Sequence, residues 1–349
     1  MNREGRHEMA DPLSDAVEVI EHFYREGLTD GLPVIPPTPE QVGRFLDAAG
    51  VGPGEVLGTR ASRNWRVTAD KVAINAVMAG CLPEYAPVVV AMMRGLLEPG
   101  FNASALAETT GASAAMVVIN GPVRNTLDVN CGWNLLGPGR RANATIGRAL
   151  RLVLMNVCRE IPGVTDKSTF GHSGRYTMCF GENEQASPWS PYHVDIGFPL
   201  EASAVTLLPV GHPMEAFNQR DQDPEGILGV IAHTIASTER CHGGAIVVIS
   251  PEHAGLVSGA GWSKQDVKGY IAARANELRP ALAPDQGRSG ALAGAVFPGP
   301  LGEADVARNG PDDILTFVAG GPAGGHSMVL PLWGQGICDP VTKEVTGPR

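Results

Sequence analysis

The chain has 349 residues, 43% of them hydrophobic and 18% charged, with a net charge of -10. That length exceeds what one hydrophobic core usually sustains, so two lobes are expected, and the apolar share excludes a disordered chain. The acidic balance argues against nucleic acid or an anionic membrane surface as a partner and favours a small molecule.

Residues 1–11 are polar and lack the apolar core of a signal peptide, and the longest aliphatic runs, such as 86–93, are too short to span a bilayer. The chain reads as cytoplasmic. Its cysteines, Cys81, Cys131, Cys158, Cys179, Cys241 and Cys338, form no C-x-x-C pair and read as reduced thiols. With 44 glycines and 28 prolines, tight connections are numerous, which points to an α/β or α+β fold.

In chain order, Leu13, Val17, Ile20 and Tyr24 make an apolar stripe that Asp11 or Ser14 caps and Gly27 ends, predicting a helix over 14–26. Prolines in 29–37 remove donors and bias their predecessors, predicting an extended arm. Thr38, Pro39 and Gln41 carry a capping box that predicts a helix over 39–49, stopped by Gly50. Apolar helices are expected over 68–80 and from Pro83 to Pro99, then a strand at 116–120. A polar loop leads to a helix over 142–159, with Ile146, Leu150, Val153, Leu154 and Val157 on one face, and to strands at 176–180 and 204–208. Next come a helix at 225–237, a strand at 245–249 and a helix opened by Ser263 with Asp266 in the box position, ending near Glu277. A Pro, Gly and Ala-rich insertion fills 280–310 before strands at 314–318 and 328–332.

The order of features recurs. An apolar run at 116–120 precedes Gly132-Trp133 and Gly171-His172-Ser173, and a similar run at 246–250 precedes Gly261-Trp262 and Gly325-His326-Ser327. The reading is an α/β (or α+β) fold of two pseudo-repeated lobes, 68–212 and 213–349, behind an N-terminal helical strap, 1–67, with a cleft between the lobes.

Aligned on Gly-Trp, Cys131 faces Ala260, a thiol opposite a methyl. A cysteine in a Gly-rich polar loop near Arg140, Arg141 and a helix N-terminus has surroundings that favour the nucleophilic thiolate, although most free cysteines are small buried hydrophobes. Asn130, Asn134, Arg140, Arg141 and Asn143 flank that loop-to-helix junction. Amides, dipole and guanidinium groups there would hold a carboxylate or phosphate, unless the arginines answer acidic neighbours. His172 and His326 are the candidate general bases, and Gly324, Gly325 and Ser327 the candidate donors to developing negative charge. Glu182 and Glu184 would share one side of an extended segment near Cys179, giving an acid/base pair. With His172, His193 and His326, Glu182 also offers a metal-binding alternative, though the intervals match no strong zinc signature. Otherwise no cofactor is expected. Trp189 and Tyr192 read as walls of an apolar pocket, Trp133 and Trp262 as structural anchors, and His233, Cys81 and Cys158 as core residues.

The segments 30–38, 261–264 and 320–327, which contain Asp-Gly-Leu-Pro-Val-Ile-Pro-Pro-Thr, Gly-Trp-Ser-Lys and Gly-Gly-Pro-Ala-Gly-Gly-His-Ser, resemble a family of bacterial proteins of unassigned function. That family is related to, or encoded with, small thiol or selenol proteins bearing a U-G-S-C motif, which this chain lacks. The resemblance implies sulfur-centred chemistry and assigns no catalytic position.

Together these features predict a cytoplasmic small-molecule enzyme, of lyase, transferase or hydrolase type, in which Cys131 attacks or holds a small anionic substrate and a histidine moves the proton. A metal-dependent hydrolase or lyase on the His and Glu set is one alternative. A non-catalytic scaffold, using the 30–38 arm as a docking strap, is another. Protein partners considered are a second copy of the chain and a thiol protein.

Overall fold

The computed structural model describes residues 12–238, 244–282, 310–334 and 336–347. The polar start at 1–11, Cys241 and nearly all of the insertion lie outside the described residues. Helices and sheets are mixed in the manner of an α/β or α+β protein.

The first elements are α1 (Pro12–Arg25) and α2 (Pro39–Ala49). Thr38 accepts the Gln41 N–H and Gly50 closes α2 in the left-handed region, as the capping signature requires. The arm between them is a strap within the molecule. Asp30 pairs with Arg148 at 2.8 Å, Arg148 also donates to the Leu32 and Pro33 carbonyls, and Ile35 N–H reaches Met78 O. The arm is therefore engaged by its own chain.

A hairpin of β1 (Val56–Arg60) and β2 (Trp65–Thr68) leads into the buried helices α3 (Ala69–Ala79) and α4 (Ala86–Leu96), then the short α5 (Ala103–Glu108). The first large strand, β3 (Ala114–Asn120), is followed by the single turn α6 (Val123–Thr126), the long α7 (Arg141–Asn156), β4 (Cys179–Gly181), the turn α8 (Tyr192–Asp195) and β5 (Ala204–Val210). The remainder runs β6 (Met214–Phe217), α9 (Pro224–Ala236), β7 (Ala245–Ile249), α10 (Pro251–Gly259), α11 (Lys264–Leu282), β8 (Ile314–Val318), β9 (His326–Pro331) and β10 (Val341–Glu344).

Two four-stranded sheets share one plan. Their orders are β10-β5-β3-β4 and β6-β9-β7-β8; β3 and β7 run parallel to β4 and β8 and antiparallel to β5 and β9. The register matches Ala115 opposite Pro209 with Ala245 opposite Pro331. This differs from the sequence expectation, because His172 precedes β4 whereas His326 opens β9: the two Gly-His-Ser segments occupy unlike places. The Gly-Trp turns do correspond, one lying between α6 and α7 after β3 and the other between α10 and α11 after β7.

Alternation along the strands makes four layers. Val117, Ile119, Val205 and Leu207 pack under α2, α3, α4 and α7, and Val247, Ile249 and Val329 under α9, α10 and α11. Met116, Val118, Phe180, Leu208, Ile246, Val248, Phe317 and Leu330 fill the space between the sheets. A packed apolar core therefore stands where the sequence suggested a cleft.

The last strands cross over. The chain leaving β5 gives β6 to the second sheet, and the chain leaving β9 returns β10 to the first. At the crossing Val210 bridges Leu332, Gly211 N–H donates to Pro331 O and Trp333 N–H to Pro209 O, each at 2.9 Å. The second lobe consequently does not own the whole of 213–349, since 341–344 completes the first sheet.

Candidate functional site

The C-terminal ends of β3 and β4 gather polar side chains that an apolar core would otherwise exclude. After Asn120 the chain turns at Gly121, whose positive φ and whose approach to Ala202 O, 2.1 Å from where a Cβ would stand, admit only glycine. The turn starts α6 and projects Arg124 across β4, where Gly181 leaves room for its stem. Arg124 is 2% exposed.

Its guanidinium is shared. Nη2 donates to Gln185 Oε1 at 2.8 Å and stands 3.5 Å from Glu184 Oε2, while Nη1 lies 3.5 Å from the Cys131 Sγ. Glu184 also accepts Gly121 N–H at 2.7 Å and Asn120 Nδ2 at 3.1 Å. Asn120 Nδ2 donates to Glu182 Oε2 at 2.7 Å, and Tyr192 N–H donates to the same oxygen at 2.9 Å. Burial raises the Glu182 carboxyl above the usual carboxylate range, against the opposing Lys264 charge and those two hydrogen bonds. Among the described residues, Asn120 Oδ1, Arg124 Nε and Glu182 Oε1 are buried without a hydrogen-bond partner. Such atoms are costly to bury, so three in one network mark a place where folding has not been optimised alone.

Cys131 is half-buried, whereas Cys81, Cys158, Cys179 and Cys338 are buried. Burial pushes the Cys81, Cys158 and Cys338 thiols up to about 12 and Cys179 upward as well. The loop holding Cys131 is pinned by Asn143, which accepts Asn130 N–H and donates to the Asn130 and Cys179 carbonyls. Cys131 O accepts Gly320 N–H at 2.9 Å, and the Trp133 ring lies over Gly321, where a Cβ would meet it at 2.2 Å. The site therefore sits on the rim of the inter-sheet core, touching both sheets. Trp133 is 64% exposed, so it is no anchor within its own lobe.

The other sequence candidates are placed elsewhere or are already engaged. Arg140 pairs with Asp128, and Arg141 donates to Gly80 O at 3.0 and 2.9 Å, closing the end of α3. Asn134 serves the loop, donating to Pro138 O. Of the predicted anion cradle, Asn130 and Asn143 thus act as pins and both arginines have protein partners. His172 lies before β4, beside His212 at 4.8 Å and near Arg175, which bonds Ser113 O at the start of β3. β3 separates it from Cys131 by ~20 Å at strand rise, so it is not this thiol's base. Burial, then His212 and Arg175, lower its pKa to about 4.

His326 stands 3.1 Å from Glu215 and stacks on Phe217, and Gly325 N–H goes to Glu252. Gly324, with a positive φ, lies against the His326 ring. Ser327 is buried against His253, whose Nδ1 is 2.8 Å from its Oγ and whose Nε2 is 3.0 Å from Asn218 O. His193 is buried with Nε2 3.4 Å from Leu200 O. These positions scatter the proposed metal set, and among the described residues no three His, Cys, Asp or Glu side chains gather as metal ligands. Tyr192 packs on Phe317 at 4.7 Å in the inter-sheet core, and Trp189 Nε1 donates to Trp262 O, so neither walls an open pocket. His233 is exposed on α9 rather than in the core.

Sequence reasoning found Cys131, Glu182 and Glu184 but missed Asn120, Arg124 and Gln185. The available signal was Asn120-Gly121-Pro122 at the end of an apolar strand, a turn that commits whatever follows to the strand's end. No helix among the described residues is long and apolar enough to cross a membrane. Compared with models of known families and with curated proteins, the chain matches none.

Proposed function

We propose that this chain is a small-molecule enzyme whose reactive group is the Cys131 thiol, acting as a nucleophile toward a small electrophile. The observation that carries the reading is the buried Arg124 guanidinium, 3.5 Å from Cys131 Sγ and oriented by Gln185 and Glu184. A fixed guanidinium at that distance gives the sulfur a hydrogen-bond partner and holds it in place for attack. Glu184, 15% exposed and bound to the same guanidinium, replaces histidine as the group placed to handle a proton. The exposed Trp133 supplies an apolar surface next to the sulfur. Lyase, transferase and hydrolase chemistry all fit a transient bond from sulfur to substrate carbon.

The free state of the described cysteines suits a reducing compartment and hence a cytoplasmic protein. The resemblance to proteins encoded with U-G-S-C thiols favours the same sulfur chemistry. A thiol protein is then a fitting partner.

Limiting iodoacetamide added to the native chain near neutral pH tests the reading, with the modified cysteine mapped by peptide mass. Cys131 is expected to label first, the Cys131→Ser variant to lose that label, and Arg124→Met to label about tenfold more slowly. Labelling of Cys131 no faster than an unfolded thiol would remove it as nucleophile.

A further inference from the structure

At the far end of β3 from Cys131, two arginines line a small cavity between α5, α7 and the turn Ser173–Arg175. Arg151 and Arg175 retain 12% and 14% of their side-chain surface, and both lean on one carboxylate, Asp166, at 3.4 and 2.6 Å. Arg175 Nε is further satisfied by Ser113 O. Among the described residues, Arg151 Nε and Nη1 and Arg175 Nη2 take no acceptor, so guanidinium donors remain unclaimed beside the cavity.

Positive charge is in surplus there. Glu160, buried and with one oxygen unpartnered, is raised to about 7 by burial and then by the Glu108 charge. It supplies only part of a negative charge near neutrality. Glu108 is itself paired with Arg63. Asp166 stays below the usual carboxylate range despite its burial, because Arg175 and Ser168 hydrogen-bond to it, and it is the main counter-charge for two cations. Arg151 is pulled down chiefly by burial and then by the Arg175 charge, against the opposing pull of Asp166.

The rest of the lining is apolar, including Leu106, Leu150, Leu154 and Met178, and the space is about 30 Å³. Roughly 10–15 Å³ of such space holds one water, so the cavity takes about two or three heavy atoms. Planar carboxylates meet guanidinium forks with two parallel hydrogen bonds. We propose that this cavity is a binding site for a small carboxylate of formate size, its oxygens on Arg151 and Arg175 and its carbon against the leucine and methionine wall. The site stands apart from Cys131 and does not depend on the thiol reading. By joining α7 to the turn that carries Arg175, the anion would tighten the approach to β4.

The test is calorimetric titration of sodium formate into the full chain at constant ionic strength, alongside thermal melts. Saturable one-to-one uptake is expected, with Tm rising with formate concentration. Arg151→Met should weaken binding at least tenfold. Should that variant fold poorly, Ala107→Leu fills the cavity from α5 with both arginines intact, and its Tm should be insensitive to formate. No saturable uptake by the unaltered chain, undiminished uptake by folded Arg151→Met or by Ala107→Leu, or chloride and phosphate binding as well as formate would each overturn the carboxylate site.

Discussion

The C-terminal ends of the two sheets follow one strand plan yet treat buried polar groups in opposite ways. In the second sheet His253 uses both ring nitrogens, on Ser327 and on Asn218 O, and Ser250 caps α10 by accepting His253 N–H. In the first, Asn120 takes the place of Ser250 and Glu182 the place of Ala319, judged by matching backbone bonds to Ile119 O and Ile249 O. Those substitutions install a buried carboxylate and an amide whose remaining atoms stay unpartnered beside Arg124. A saturated network rigidifies a fold, whereas an incomplete one holds polar groups ready for something further. The contrast teaches that the first sheet's end is the place to look for chemistry and the second's the place to look for stability.

The largest effect should come from His253→Ala, which leaves Ser327 and the Asn218 carbonyl buried and unpaired at a cost of ~2–4 kcal/mol. The double variant Arg124→Met with Glu184→Gln keeps apolar bulk and removes the desolvated charge together with its counter-charge, so its cost should be only ~1 kcal/mol while Cys131 alkylation slows. Urea midpoints read both, and equal losses would erase the distinction between the two ends.

A smaller effect is expected of Gly321→Ala, which forces the Trp133 ring away and costs ~1–2 kcal/mol by overpacking. The alkylation rate of Cys131 should change several-fold with it. Gly259→Ala, whose added carbon meets nothing within 4 Å, is the matched control and should leave the rate unchanged.

The finest probe is Glu182→Gln. Because folding raises this carboxyl, the folded chain binds more protons than the unfolded one, and stability falls as pH rises above the ordinary carboxylate range. The variant should lose less stability than the parent as pH rises above the ordinary carboxylate range, measured as unfolding free energy at each pH. Parallel curves would mean that Glu182 is charged throughout.

Where local chemistry decides, the sequence was legible. α2 follows from its capping box and Gly50, and α11 opens with Ser263 and Asp266 exchanging hydrogen bonds as their spacing implied. β7 and β8 read as apolar runs because both faces are covered. β6 and β10 escaped notice since edge strands of mixed polarity, Met214–Phe217 and Val341–Glu344, exist only through distant pairing. α10 was missed although Ser250-Pro251-Glu252 is a good helix start. The Gly-His-Ser match misled because it is short and glycine-rich. The correspondence that the register supports, Leu208-Pro209 with Leu330-Pro331, lay in plain apolar sequence. Arg124 could not be joined to Glu184 without the fold, since some sixty residues separate them.

The crossed strands bear on how the protein is made. While a ribosome is still extruding the second half, the first sheet lacks its outer strand, and β5 presents an open hydrogen-bonding edge until 341–344 arrive. The second sheet, whose strands all precede β10, can close first, while the first waits for its outer strand, which predicts a slow closing step once 341–344 have been made.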